Sequence, residues 1–216
     1  QRTKMKSFKK LAQTALLVAI LASAALGLDK FQSLDKPFEN EQNTIIETFS
    51  FWCGGCYHHH ELGTLAKIKE KLPNFTYKIY PLTEVPFGEE FGRLYAYAQS
   101  KDEAAGLDAS QKNSAMHKLA DAYFVAIFKR KINYTDSRTF TKLGLKTLGI
   151  SQKELDEFVK SPKGQRIYKD YNKASAVTEA YGATPSFTIN GKYFLLLQDI
   201  RGLDEMVEVI KDTSKK

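Results

Sequence analysis

At 216 residues, with 43% apolar and 26% charged residues, the chain is long enough to bury one sizeable core and too apolar to be a disordered segment. Its net charge of +7 suggests a polyanion binder, but Arg2, Lys4, Lys6, Lys9 and Lys10 carry five of those charges and leave +2 for everything from Leu11 onward. Nucleic acid is therefore excluded as an expected partner.

The chain begins with a targeting pattern. A basic run, MKSFKK at Met5 to Lys10, precedes the uncharged stretch Leu11 to Leu28 and the small residues Ala22-Ser23-Ala24. Met5 is the better initiator, so Gln1 to Lys4 read as lying upstream of the natural start. Residues 1–27 are expected to be a signal peptide cleaved near Ala24 to Gly27. A membrane anchor is the rival, but the apolar heart, Ala15 to Ala22, is short and is diluted by Gln13, Thr14 and Ser23. No cysteine follows the cleavage region to carry a lipid. Export would place the chain in an oxidising compartment.

Thr44 to Phe51, TIIETFSF, alternates as a strand with Ile45, Glu47, Phe49 and Phe51 on one face. It runs into Cys53-Gly54-Gly55-Cys56-Tyr57 and His58-His59-His60, which hold both cysteines and three of the four histidines. Leu62, Leu65, Ala66, Ile68 and Leu72 then recur at helical spacing and predict one helix from about Cys53 to Leu72. Phe75 to Tyr80 reads as the next strand, parallel to the first. From Gly88 to Ser161 only helical patterns occur: Phe91 to Gln99, Ala115 to Phe128, Phe140 to Leu148 and Gln152 to Val159. A further helix over Pro162 to Tyr181 leads to two short strands, Pro185 to Ile189 and Lys192 to Leu196, around an Asn190-Gly191 hairpin turn. Arg201 to Lys211 closes the chain as a helix. The expected organisation is an α/β domain in two parts, residues 28–87 and 162–216, with an inserted all-helical subdomain over 88–161.

A Cys-x-x-Cys core admits three chemistries. Haem attachment requires histidine immediately after the second cysteine, where Tyr57 stands. Zinc is the main non-enzyme alternative, a metal-binding module using Cys53, Cys56 and His59 or His60, but the usual two-plus-two ligand spacing is missing. A disulfide closing so short a ring would staple almost no chain, so a redox role is favoured over a structural one. At a helix N-terminus, unpaired N–H groups and the macrodipole favour a Cys53 thiolate, whereas Cys56, a turn deeper, should be buried and less acidic. Cys53 would exchange with substrate and Cys56 would resolve the mixed disulfide.

On a helical wheel His58 falls with Leu62 and Leu65, His59 on their flank, and His60 on the face of the two cysteines. A partly protonated His60 is expected to favour the Cys53 thiolate. His117, among Met116, Leu119 and Ala120, reads as structural or exposed. Glu47 stands between apolar residues, where burial raises a carboxyl pKa and suits it to accept a proton from Cys56; Lys78 on the next strand is its possible partner.

The chain resembles the DsbA-like thiol:disulfide oxidoreductases of the bacterial periplasm. The residues that carry the resemblance are the Glu47-x-Phe49-Ser50-Phe51-x-Cys53-x-x-Cys56-Tyr57 motif, the helical insertion, and Thr184-Pro185 followed by Asn190-Gly191-Lys192-Tyr193. The resemblance implies a thioredoxin fold and a buried acid at Glu47. It also implies a cis Pro185 against the Cys-x-x-Cys, with the Thr184 backbone pairing with extended substrate. It implies no cofactor beyond a Cys53–Cys56 disulfide, reduced or unfolded exported proteins as substrates, and reoxidation by a DsbB-like quinone-linked membrane protein. Gly54-Gly55 departs from the family's common Pro-His, whose histidine helps hold the thiolate, so a weaker oxidant is expected. With about twenty residues between the cleavage region and the first clear strand, an isomerase's dimerisation domain is not expected, and a monomeric oxidase is favoured over a reductase or isomerase.

Overall fold

The computed structural model describes residues 29–216; the expected signal peptide lies outside the described residues. Strands β1 (Phe31–Ser33), β2 (Thr44–Phe49), β3 (Thr76–Pro81), β4 (Ser186–Ile189) and β5 (Tyr193–Leu195) form one sheet in the order β1-β5-β4-β2-β3. β2 and β3 run parallel, joined by a helical crossover, while β4 lies antiparallel to β2, and β5 to β4. All six residues of β2 are buried, because the strand is central, and each of its positions is committed to interior contacts. The hairpin turn behaves as its sequence demands: Asn190 and Gly191 both take left-handed φ values, 55° and 62°.

The expected single helix after Cys53 is two helices, α1 (Gly54–Leu62) and α2 (Thr64–Lys71), parted at Gly63. Gly63 sits at φ 63°, ψ 41°, where a residue without Cβ ends a helix at low cost, and its N–H caps the carbonyls of His59 and His60. The break leaves Leu62 48% exposed, off the stripe on which Leu65, Ile68 and Leu72 are buried.

Between β3 and β4 come α3 (Gly88–Ala104), α4 (Ala115–Phe124), α5 (Ser137–Leu148), α6 (Gln152–Lys160), α7 (Pro162–Asp170) and α8 (Asn172–Tyr181), with no strand among them. Their starts are set by side-chain caps: Ser114, Asp136, Ser151 and Ser161 each accept from a backbone N–H three residues on. The expected helix over Pro162 to Tyr181 is divided at Tyr171, whose ring is fully buried. α4 continues as a π-turn over Val125–Lys129. α9 (Leu203–Thr213) ends the chain and packs on α2 and β5.

Phe31 to Lys216 form one compact unit, and the helices between β3 and β4 share the core of the sheet. Aromatic rings make the joint. Phe51 lies 4.6 Å from Phe91 and 5.3 Å from Phe140, and Phe49 lies 6.0 Å from Phe124. Each such pair adds about 1 kcal/mol beyond area burial, so the residues just before Cys53 are anchored to both parts at once. No helix among the described residues is long and apolar enough to cross a membrane.

Candidate active site

Cys53 stands where β2 and its following turn hand over to α1. Its backbone is extended, at φ −89°, ψ 118°, and its sulfur takes the place of an N-cap oxygen, accepting from the Cys56 N–H at 3.1 Å. An N-cap acceptor that carries negative charge makes a stronger bond and faces the positive end of the helix. The Cys53 thiol also donates to the carbonyl oxygen of Thr184 at 3.1 Å. Cys53 is partly exposed and Cys56 is buried at 1% exposure, and both are free thiols.

The two sulfurs are driven apart in acidity. A hydrogen bond from the Cys56 thiol, partly opposed by burial and helped by the Thr184 side chain and the N–H groups of Cys56 and Gly55, lowers the Cys53 pKa to about 6. Burial, then the adjacent Cys53, pushes Cys56 far above the usual thiol range. Cys53 is thus the accessible and more acidic sulfur and Cys56 the inaccessible, less acidic one.

Thr184-Pro185 is the cis peptide bond among the described residues. It meets the Cys-x-x-Cys turn closely: a Cβ built on Gly55 would lie 3.3 Å from Pro185 Cδ, 3.7 Å from Cys53 Sγ and 3.9 Å from Thr184 O. Gly54 and Gly55 are exposed, and on the other side Gly54 faces Phe128, supplied by the π-turn. Phe128 stacks on Tyr57 with centroids 5.1 Å apart and planes 4° apart. Tyr57 donates to Glu61 at 2.6 Å, and Glu61 also pairs with Lys129 at 2.9 Å. This rim escaped the sequence reading, although the Tyr57-to-Glu61 spacing of one helical turn was a signal for half of it.

Glu47 is 8% exposed, paired in register with Ile79 and Phe187. Burial, then the charge of Cys53, raises its pKa to about 8. Lys78 is not its partner. It stands opposite Ile46 and reaches Glu41 at 2.6 Å, because alternation on β3 sends it to the other face. Glu41, 1% exposed, also pairs with Lys173 at 2.6 Å. This buried ionic cluster was not foreseen; it depends on a residue from α8.

The histidines do not converge on the thiols as zinc would require. His58 is exposed, His59 lies against Phe187 at 5.8 Å, and His60 stacks on His117 at 4.1 Å. No group of three or more His, Cys, Asp or Glu among the described residues is arranged to hold a metal. The expected tuning of Cys53 by a charged His60 is not favoured by this placement, since burial lowers the His60 pKa and the charges acting on it are those of Asp121, Glu61 and Lys112. His117, expected to be structural or exposed, is the other half of that stack, its pKa lowered to about 4 by burial and then by His60.

An accessible low-pKa cysteine, a buried partner one turn on and a facing cis-proline loop define a thioredoxin-fold thiol:disulfide oxidoreductase. The chain belongs to the DSBA-like thioredoxin domain family, whose model matches residues 44–211. It is 29% identical over 212 residues to the thiol:disulfide interchange protein DsbL of Escherichia coli O6:H1, covering 95% of this chain and 94% of that protein. It is 28% identical over 217 residues to DsbA of Salmonella typhimurium, covering 95% of each. Among solved structures, DsbL of Salmonella enterica serovar Typhimurium superposes with a TM-score of 0.79 at 25% identity, covering 88% of this chain and 96% of that one.

Proposed function

We propose that the chain is a dithiol oxidase that donates a Cys53–Cys56 disulfide to exported proteins. The observation that carries this reading is the placement of the two sulfurs, a partly exposed Cys53 at the N-cap of α1, accepting from the Cys56 N–H at 3.1 Å, over a buried Cys56, which favours the thiolate on Cys53 and the thiol on Cys56. A stabilised Cys53 thiolate favours the reduced form, so the disulfide tends to be given away. A substrate thiolate attacks Cys53 Sγ, the Cys53–Cys56 bond breaks, and Cys56 leaves as a thiolate that takes a proton from the Glu47 carboxyl. A second substrate thiolate then attacks the substrate sulfur of the mixed disulfide and releases Cys53 as a thiolate. The substrate is oxidised by two electrons and the protein is reduced by two.

In this reading the carbonyl of Thr184, beside Pro185, accepts from the backbone of an extended substrate segment. Gly54 and Gly55 offer backbone donors without a side chain and set a moderate oxidising strength. The Cys53–Cys56 disulfide is the redox group and no separate cofactor is used. The N-terminal leader supports a periplasmic location, and the family resemblance supports reoxidation by a DsbB-like quinone-linked membrane protein. Mixing the oxidised chain with a reduced, unfolded disulfide protein should transfer one disulfide per chain. Reshuffling of a scrambled substrate without net oxidation would instead favour an isomerase and defeat the proposal.

A further inference from the structure

Behind the first turns of α1 lies a cavity of about 40 Å³, room for about two water molecules. Cys56 and Glu47 line it, and so do His60 from α1 and His117 from α4. The two imidazoles stack with centroids 4.1 Å apart and planes 23° apart. Phe124 packs on His60 at 5.1 Å. On the solvent side, Asp121 places its carboxylate Oδ1 3.4 Å from His60 Nε2; the Asp121 side chain is 54% exposed and that of His60 only 12%. The buried His60 Nε2 thus has the half-exposed Asp121 carboxylate as its polar neighbour, at a distance longer than a good hydrogen bond.

An interior acid that exchanges one proton in every cycle needs a route to solvent. Glu47 has no ion-pair partner among the described residues, and the protonable residues that line the cavity with it are Cys56, Tyr95, Lys112, His59, His60 and His117, of which His60 and His117 form a stacked pair and His60 meets a surface carboxylate. We infer that the stacked His60–His117 pair is the proton outlet of Glu47, passing protons between the cavity and Asp121 at the surface. The inference rests on the reading of Glu47 as the proton partner of Cys56. When Glu47 has protonated the Cys56 thiolate it is left as a carboxylate. The imidazole pair then takes one proton from solvent on the Asp121 side and delivers one through the cavity, restoring the carboxylic acid. During reoxidation the same steps run backwards, and the relay itself exchanges protons only.

The surroundings suit a transient carrier. Burial keeps both rings neutral at rest, and Lys112, from the loop before α4, also opposes their charging. Asp121 on α4 and Glu61 on α1 favour the imidazolium of His60, while His60 disfavours charge on His117, so an added proton resides on His60 rather than on both rings. His60 and His117 touch neither substrate nor the exchanging sulfurs and act as positioning residues for a proton.

The protonated carboxyl of Glu47 gives an infrared band, assigned by its loss in Glu47→Gln, that shifts when the reduced full-length chain is moved into deuterium oxide below the Glu47 pKa of about 8. The wild type should exchange within the mixing time. His60→Phe and His117→Phe keep ring volume and remove the nitrogens, and each should slow exchange by about tenfold or more, with His60→Gln between, a contribution of general acid–base size. The variants lie on different helices, so one that fails to fold leaves the other to decide. Exchange as fast as wild type in a folded Phe variant would overturn the outlet and leave the role of Glu47 standing. Absence of the Glu47 band in the wild type would overturn the Glu47 reading and the outlet with it.

Discussion

Removing the Cys56 thiol should raise the pKa of Cys53. The hydrogen bond from Cys56 is the largest single cause that holds Cys53 at about 6, three units below the ordinary 9.0. A hydrogen bond to a charged acceptor contributes about 1.5–3 kcal/mol, or about 1–2 pKa units at 1.36 kcal/mol per unit. Cys53 is half exposed, and solvent screening favours the lower end. In Cys56→Ala the midpoint should therefore move from about 6 to about 7, whereas Cys56→Ser, which keeps a donor, should stay closer to wild type. The pH dependence of iodoacetamide alkylation reads the midpoint directly. An unchanged midpoint in Cys56→Ala would show that the helix terminus alone holds the thiolate and would refute the reasoning. The sign also sets the oxidising strength. A depressed pKa stabilises the reduced form fully above about 9, and the effect fades as pH falls through about 6. At pH 7 one unit remains, about 1.4 kcal/mol, or roughly half that after screening, which is about 15 mV.

With only that modest term available, equilibration against glutathione should give a potential more reducing than about −120 mV, and replacing Gly54-Gly55 by Pro-His should raise it. Glu47→Leu should stabilise the fold at pH 7 while slowing disulfide donation. With a pKa of about 8 against 4.5 unfolded, Glu47 destabilises the fold increasingly as pH rises from 4.5 to 8, and the 2.5 units reached at pH 7 amount to about 3 kcal/mol. Urea titrations should show the gain shrinking toward pH 4.5. Glu41→Ala should cost about 3–5 kcal/mol by the same assay, since it leaves Lys78 and Lys173 without their buried carboxylate.

What the sequence made legible was whatever local chemistry determines. The strand into Cys53, the Asn190-Gly191 hairpin and the helix-only stretch after Gly88 each follow from alternation, turn residues or helical period. Gly63 was read through because the apolar spacing continues across it, and only its left-handed backbone turns one helix into two. β1 was missed because three residues cannot show a period; it exists by pairing with β5. The facing of Lys78 and the meeting of His60 with His117 depend on register and helix packing between distant segments. No spacing within either segment encodes them.

Thiol trapping tests the central claim most directly. Cys56→Ala incubated with a disulfide-bonded substrate protein should accumulate a covalent mixed disulfide on Cys53, formed as the Cys53 thiolate displaces one substrate thiolate and identified by mass spectrometry, and Cys53→Ala should accumulate none. Adducts on Cys56 of the Cys53→Ala chain, with none on Cys53 of Cys56→Ala, would contradict the assignment of Cys53 as the exchanging sulfur.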